Sequence, residues 1–253
     1  MVSGDWEVGD AQGRDYPALG RRNGQQTTDG GHLKKGIFIT IEGIDGSGKS
    51  TQHRLLVDYL RRRGWDVVAT REPGSTKLGE QIRRILLGYS GRLGPVTELA
   101  LFYAARAQHL EEVIRPELAQ GKIVISDRYN DASMAYQGYA RGLGPRTVRR
   151  LDKAVCADTQ PGLTILLDLE ARIGLERAQG RSGLRERFEA EGVKLQQRAR
   201  RGYLSIARKE PGRVKVVDGN RSVNEIQAEI RMTVDSFLGH ERQSQKTKVK
   251  SQK

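Results

Sequence analysis

Along the middle of the chain, short apolar runs alternate with helical patterns. Ile37-Phe38-Ile39-Thr40-Ile41 is a run of β-branched and aromatic residues, short and β-prone, which predicts a strand. Leu55, Leu56, Tyr59 and Leu60 then recur at helical spacing up to Gly64, so the order is strand, loop, helix. The alternation returns with Val67 to Thr70, followed by Ile82, Ile85 and Leu86, and then by a long helical stretch from Thr97 to Leu118. Ile123-Val124-Ile125, Thr164-Ile165-Leu166-Leu167 and Val214-Val216-Val217 supply three more strand candidates. Strands that are apolar throughout need cover on both faces, which a parallel sheet between helices provides. The expected class is α/β, a doubly wound parallel sheet of about five strands flanked by helices.

The ends break this pattern. Residues 1–34 are rich in Gly, Asp, Gln and Arg without helical or strand periodicity and read as a disordered extension. Residues 240–253 carry Arg242, Lys246, Lys248, Lys250 and Lys253 against one Glu, which reads as a basic, solvated, disordered tail. The folded domain is expected over 35–239. The chain of 253 residues has 44 Lys+Arg against 31 Asp+Glu, a net charge of +13. Such a surface suits anionic substrates as well as nucleic acid. No run of about 18 apolar residues occurs, which argues against a transmembrane helix. The single cysteine, Cys156, builds neither an internal disulfide nor a cysteine-rich zinc site, and a cytoplasmic location is expected.

The strongest chemical signal follows the first strand. Gly43-Ile44-Asp45-Gly46-Ser47-Gly48-Lys49-Ser50 satisfies G-x-x-x-x-G-K-[ST] in full, the pattern of a P-loop. Its glycines let successive N–H groups turn onto phosphate oxygens at a helix N-terminus. Lys49 adds a positive charge for the β- and γ-phosphates of ATP, and the Ser50 hydroxyl is placed to ligate Mg²⁺. A guanine-reading N/T-K-x-D segment after a strand is missing, which disfavours a GTPase. Three further segments stand where parallel strands end or nearby: Thr70 to Thr76, Leu101 to His109, and Asp127-Arg128-Tyr129 running on to Ser133, Tyr136, Gln137 and Gly138. Each joins a charged group to an aromatic or amide side chain, as a phosphorylated aromatic base requires. Arg71 and Arg128 are candidates for an acceptor phosphate. Phe102 offers an apolar face for a planar ring, and Arg106, Ser133 and Gln137 offer donors and acceptors for its edge. Asp127 ends a buried strand, where a carboxylate is costly unless paired or near metal.

Taken together, the P-loop, T-R-E-P-G, L-F-x-x-x-R-A-Q-H, D-R-Y-x-x-S-x-A-Y-Q-G and a later Arg-rich segment make the chain resemble the bacterial thymidylate kinases over about 36–238. The resemblance implies transfer of the ATP γ-phosphoryl group to dTMP, giving dTDP and ADP, with Mg²⁺ and as a homodimer. It further implies that Asp45 touches the sugar 3′-hydroxyl, Phe102 stacks on thymine and Arg106 bonds its O4. Ser133 and Gln137 would face the rest of the base edge. Tyr136 would sit beneath C2′ and disfavour a ribose. Asp127 would orient the acceptor phosphate and the waters of Mg²⁺, alongside Ser50. The glycine-punctuated stretch at about 177–190 looks like the family's lid, with Arg181 and Arg185 as its catalytic candidates beside Lys49, Asp45 and Arg128. Ser75 departs from the pattern, standing where a second glycine is usual. Two rival readings are another nucleotide or nucleoside kinase of this fold and a nucleic-acid-dependent P-loop ATPase. The first is disfavoured for nucleosides because Asp127-Arg128-Tyr129 replaces a Glu-Arg-Ser base segment; the second rests on charge alone, so nucleic acid is not the expected partner.

Overall fold

The structure, a computed structural model, describes residues 36–179 and 192–250. Five strands form one parallel sheet: β1 (Ile37–Gly43), β2 (Val67–Arg71), β3 (Ile123–Asp127), β4 (Leu163–Asp168) and β5 (Val214–Asp218), in the order β2-β3-β1-β4-β5. All five coincide with the expected apolar runs. β1 is buried along its whole length because it is the central strand, pairing with β3 on one side and β4 on the other. On one face, α1 (Lys49–Arg62) and α9 (Val223–Lys250) cover the sheet through Leu56, Leu60, Ile226, Ile230 and Val234. On the other, α3 (Pro95–His109) and α8 (Gly192–Lys209) cover it, with Leu99 and Tyr103 from the first and Leu195, Ala199 and Tyr203 from the second. Between β2 and α3 lies α2 (Lys77–Gly88), whose Thr76 side chain accepts a bond from Gly79 N–H as its N-cap.

The long helix expected from Thr97 to Leu118 is interrupted. α3 passes through a π turn at Leu110–Ile114 before α4 (Arg115–Ala119). Pro116 lies in the first turn of α4, and its missing N–H and its ring cannot be accommodated in an unbroken α ladder. A second π turn, Met134–Ala140, follows the short α5 (Asn130–Ser133) and carries Tyr136 and Gln137. α8 lies close across it: a Cβ added at Gly202 would stand 3.0 Å from Ala135 Cα and Tyr139 Cβ. α6 (Pro145–Val155) and α7 (Ala171–Gln179) complete the set.

One expectation is corrected. The basic stretch after residue 239 was expected to be a disordered tail, yet α9 runs on to Lys250. Beyond Gly239 the segment has no proline or glycine to stop a helix and is rich in Glu, Arg, Gln and Lys, all good helix formers. Arg242 also stacks over the Trp65 ring at 4.0 Å, tying the extension to the domain. The extension at 1–34 lies outside the described residues.

Candidate active site

Chain connectivity turns to opposite sides of β1, and the loops at the carboxyl ends of β1 and β3 meet at that crevice. The P-loop occupies it. Gly46 and Gly48 have φ of 75° and 93°, the left-handed region that glycine alone enters freely. Gly46 also has no room for a side chain, since its Cβ would lie 1.9 Å from the Gly174 carbonyl oxygen on α7. Lys49 opens α1, is buried, and donates from Nζ to the Ile44 carbonyl at 2.7 Å. Burial and the nearby Arg128 push its ammonium down to about 8, against Asp45, Asp127 and Glu42. Ser50 donates from Oγ to Asp127 Oδ2 at 2.8 Å. Burial raises the Asp127 carboxyl, but Lys49, His53 and Arg128 together hold it below the usual range.

Arg128 reaches from the end of β3 into the P-loop. Its backbone is left-handed, φ 73°. Nη1 donates to the Gly43 carbonyl at 3.0 Å and to the Tyr203 hydroxyl at 3.1 Å, while Nη2 donates to Asp45 Oδ1 at 2.5 Å. Its guanidinium carbon stands 5.3 Å from the Tyr136 ring centre. Burial works against ionisation of Asp45, but Arg128, Lys49 and a bond from Gln196 leave its carboxyl lowered. Donor-side and acceptor-side candidates thus meet: Asp45, Lys49, Ser50, Asp127, Arg128 and Tyr136 form one constellation.

Arg106 is the hub of a second set. It is 1% exposed and donates from Nε to Glu72 Oε2 at 2.7 Å, and from Nη2 to the Tyr129 carbonyl at 2.9 Å and Ser133 Oγ at 3.1 Å. Its Nη1 is buried and has no hydrogen-bond partner among the described residues, a donor left for something else. Phe102 lies one helical turn before Arg106, half-buried against Ala105 and Leu86. Gln137 donates from Nε2 to Glu98 at 2.7 Å, and Arg141 also binds that buried carboxylate. Arg71, at the end of β2 and in register with Asp127, pairs with Glu80 at 3.1 Å. Ser75 sits at φ 63°, which explains why glycine suits that position. Its hydroxyl offsets the strain by accepting from Arg71 N–H at 3.0 Å and donating to the Arg71 carbonyl at 3.1 Å. Arg181 and Arg185, with most of the expected lid, lie outside the described residues.

The thymidylate kinase family model matches residues 41–230. The chain belongs to the thymidylate kinase family. It is 48% identical over 208 residues to the thymidylate kinase of Syntrophotalea carbinolica, covering 80% of this chain and 96% of that protein. It is 46% identical over 200 residues to that of Protochlamydia amoebophila, covering 76% and 89%. The crystal structure of thymidylate kinase from Ehrlichia chaffeensis superposes with a TM-score of 0.66 at 35% identity, over 79% of this chain and 99% of that one.

The thymidylate kinase cleft contains groups that sequence reading missed. Glu42, on β1, is fully buried and accepts from Tyr129 N–H and the Tyr203 hydroxyl, each at 2.7 Å. Burial, aided by Asp131 and opposed by Arg128, pushes its carboxyl up to about 8. Its signal was a carboxylate inside an otherwise apolar strand beside the P-loop. Glu72 holds Arg106 and His109 and was visible in T-R-E-P-G, but without a partner to give it a role. Gln196 and Tyr203 come from α8 and carry no local motif. A cavity of about 300 Å³ also adjoins the P-loop, lined by Gly48, Gln52, Arg177, Gly219, Arg221 and Val223 among others.

Proposed function

We propose that this cleft carries out the phosphorylation of dTMP to dTDP by ATP, the reaction that membership of the thymidylate kinase family gives this chain. The observation that carries the assignment of roles is the contact between Arg128 at the end of β3 and both Gly43 and Asp45 of the P-loop. In this reading that contact supports Arg128 as the fixed cation at which the two phosphate chains meet head to head. The acceptor phosphate is already an anion near neutral pH, so positioning and charge cancellation, not a strong base, supply the rate. In this reading the N–H groups of Gly46 to Ser50 hold the ATP phosphates, Lys49 turns from the Ile44 carbonyl to the β- and γ-oxygens, and the cavity beside the P-loop takes the adenosine. Arg71 and Arg128 hold the phosphate of dTMP, Asp45 its 3′-hydroxyl, and Tyr136 closes the space beneath C2′. Phe102 stacks on thymine, the free Nη1 of Arg106 bonds O4, and Ser133 and Gln137 complete the edge. Arg181 and Arg185 are assigned to charge neutralisation during transfer.

Ser50 and Asp127 present two oxygen ligands within 2.8 Å of each other. The described residues contain no group of three or more His, Cys, Asp and Glu side chains suited to a metal. That set fits Mg²⁺, which binds through one or two protein oxygens plus substrate phosphates and water. Ser50 and Asp127 would hold the ion, which would supply charge neutralisation during phosphoryl transfer. A homodimer is supported by exposed apolar side chains on α2, just after it and at the start of α3, namely Leu78, Ile85, Tyr89 and Val96. A cytoplasmic site of action is part of the same proposal; no helix among the described residues is long and apolar enough to cross a membrane.

Coupled measurement of ADP release across a panel of nucleoside monophosphates tests the reading. dTMP should be the preferred acceptor. A DNA-stimulated ATPase rate without transfer to dTMP, or preference for another monophosphate, would reject it.

A further inference from the structure

Helix α8 supplies the least expected contacts in the cleft. Gln196 and Tyr203 are seven residues apart, two turns along one helix face, and both reach functional side chains. Gln196 is fully buried. Its Nε2 donates to Asp45 Oδ2 at 2.7 Å, and its Oε1 accepts from Asp45 N–H at 3.3 Å and from the Tyr136 hydroxyl at 2.9 Å. Asp45 fixes the direction of that amide, because a backbone N–H only donates and a carboxylate only accepts. The Tyr136 hydroxyl is then left to donate. A primary amide of this length satisfies all three bonds; an apolar side chain satisfies none of them.

We propose that Gln196 is a positioning residue that sets the sugar selectivity of the acceptor site by holding the Tyr136 ring at a fixed distance from Asp45. The proposal rests on the assignment of Tyr136 and Asp45 to the sugar of the acceptor. Arg128 stands over the face of the Tyr136 ring, and Tyr203 meets it edge-on at 6.2 Å between centroids. Those contacts limit movement across the ring plane. The hydroxyl bond to Gln196 limits movement along it, which is the direction that would open space beneath C2′. The same amide holds the carboxylate assigned to the 3′-hydroxyl, so both walls of the sugar subsite are referred to one side chain.

The test is the ratio of kcat/KM for dTMP to kcat/KM for the ribosylthymine monophosphate, measured at fixed saturating ATP. Gln196→Leu should narrow that ratio by roughly three- to tenfold, the span of one neutral hydrogen bond, with the KM for ATP unchanged. Tyr136→Phe removes the Tyr136–Gln196 bond from its other end, together with the hydroxyl's bond with Arg128, and should narrow the ratio too. The double variant should narrow it by less than the product of the two single effects. Tyr136→Phe decides the matter if Gln196→Leu does not fold. Tyr136→Ala is the control for the underlying assignment. If it shifts the ratio while Gln196→Leu and Tyr136→Phe leave it at the parent value, Gln196 is packing only and the proposal fails. If Tyr136→Ala also leaves the ratio unchanged, the assignment of Tyr136 to the sugar fails first and takes the proposal with it.

Discussion

Glu42 gives a stability experiment whose sign and size follow from its surroundings. Its carboxyl, ordinarily near 4.5, is raised to about 8 chiefly by burial. Between those values the folded protein holds a proton that the unfolded chain has released. Its contribution is therefore fully present below about 4.5 and is lost as pH rises through about 8. At about 1.4 kcal/mol per pH unit, the interval amounts to about 5 kcal/mol in total, and roughly 3 to 4 kcal/mol of it falls between pH 5 and pH 8. Asp45 and Asp127 are shifted down from 3.8, so their stabilising contributions are nearly complete by pH 5. Lys49, lowered to about 8 from 10.5, changes its contribution above the window. Glu42 thus dominates among these groups from pH 5 to 8. The isosteric Glu42→Gln cannot ionise; its Oε1 can still accept from Tyr129 N–H, while Nε2 only donates, so the Tyr203 hydroxyl, which donates to Glu42 in the parent, must turn to accept from it. Urea unfolding at a series of pH values should show the variant gaining on the parent by roughly 3 kcal/mol between pH 5 and pH 8. A difference that stays flat over the series, or a variant that weakens as pH rises, would refute the reasoning.

Other perturbations bear on other parts of the site. The free enzyme loses the Lys49 charge above about pH 8, so kcat/KM for ATP should fall there, and the fall should persist in Glu42→Gln; its disappearance in that variant would transfer the titration to Glu42. Arg106→Lys keeps a cation for Glu72 but lacks the guanidinium fork, so the KM for dTMP should rise by about tenfold or more with the KM for ATP unchanged, and equal rises would reject the base-edge assignment. Arg106→Ala is the poorer test, because it strips the buried Glu72 of its guanidinium partner and leaves it His109 alone, at a cost of up to about 3–5 kcal/mol. Gly174→Ala would bring a Cβ to 2.6 Å from the Asp45 carbonyl oxygen, displacing the P-loop. Turnover should drop by about tenfold or more from misplacement alone, and an unaltered kcat would mean the loop can yield without consequence.

β1, β2, β3 and β4 were legible because each is largely a run of apolar and β-branched residues with most positions buried, whereas β5, at the sheet edge with Val216 exposed, was signalled by its three valines alone. The P-loop was legible for a different reason: its chemistry is local, carried by backbone N–H groups, Lys49 and Ser50 within one turn. The interruption at Pro116 was visible as a residue but not as a π turn, since periodicity reports which face is buried and not how the ladder closes. Gln196, Tyr203 and Glu42 were not legible as site residues. Their roles exist only across sequence separations of 151 residues for Asp45–Gln196 and 161 for Glu42–Tyr203, where no spacing rule operates. The helical course of residues 240–250 was not legible from charge, because Glu, Arg, Gln and Lys are good helix formers as well as solvated side chains, and the Trp65 ring that receives Arg242 lies far away in sequence.

The principal arginines of the cleft come with internal counter-ions: Arg128 has Asp45, Arg106 has Glu72, and Arg71 has Glu80. Substrate anions entering such a place exchange partners with resident carboxylates and do not neutralise bare positive charge. Affinity for nucleotides should accordingly respond to ionic strength less steeply than a count of arginines suggests.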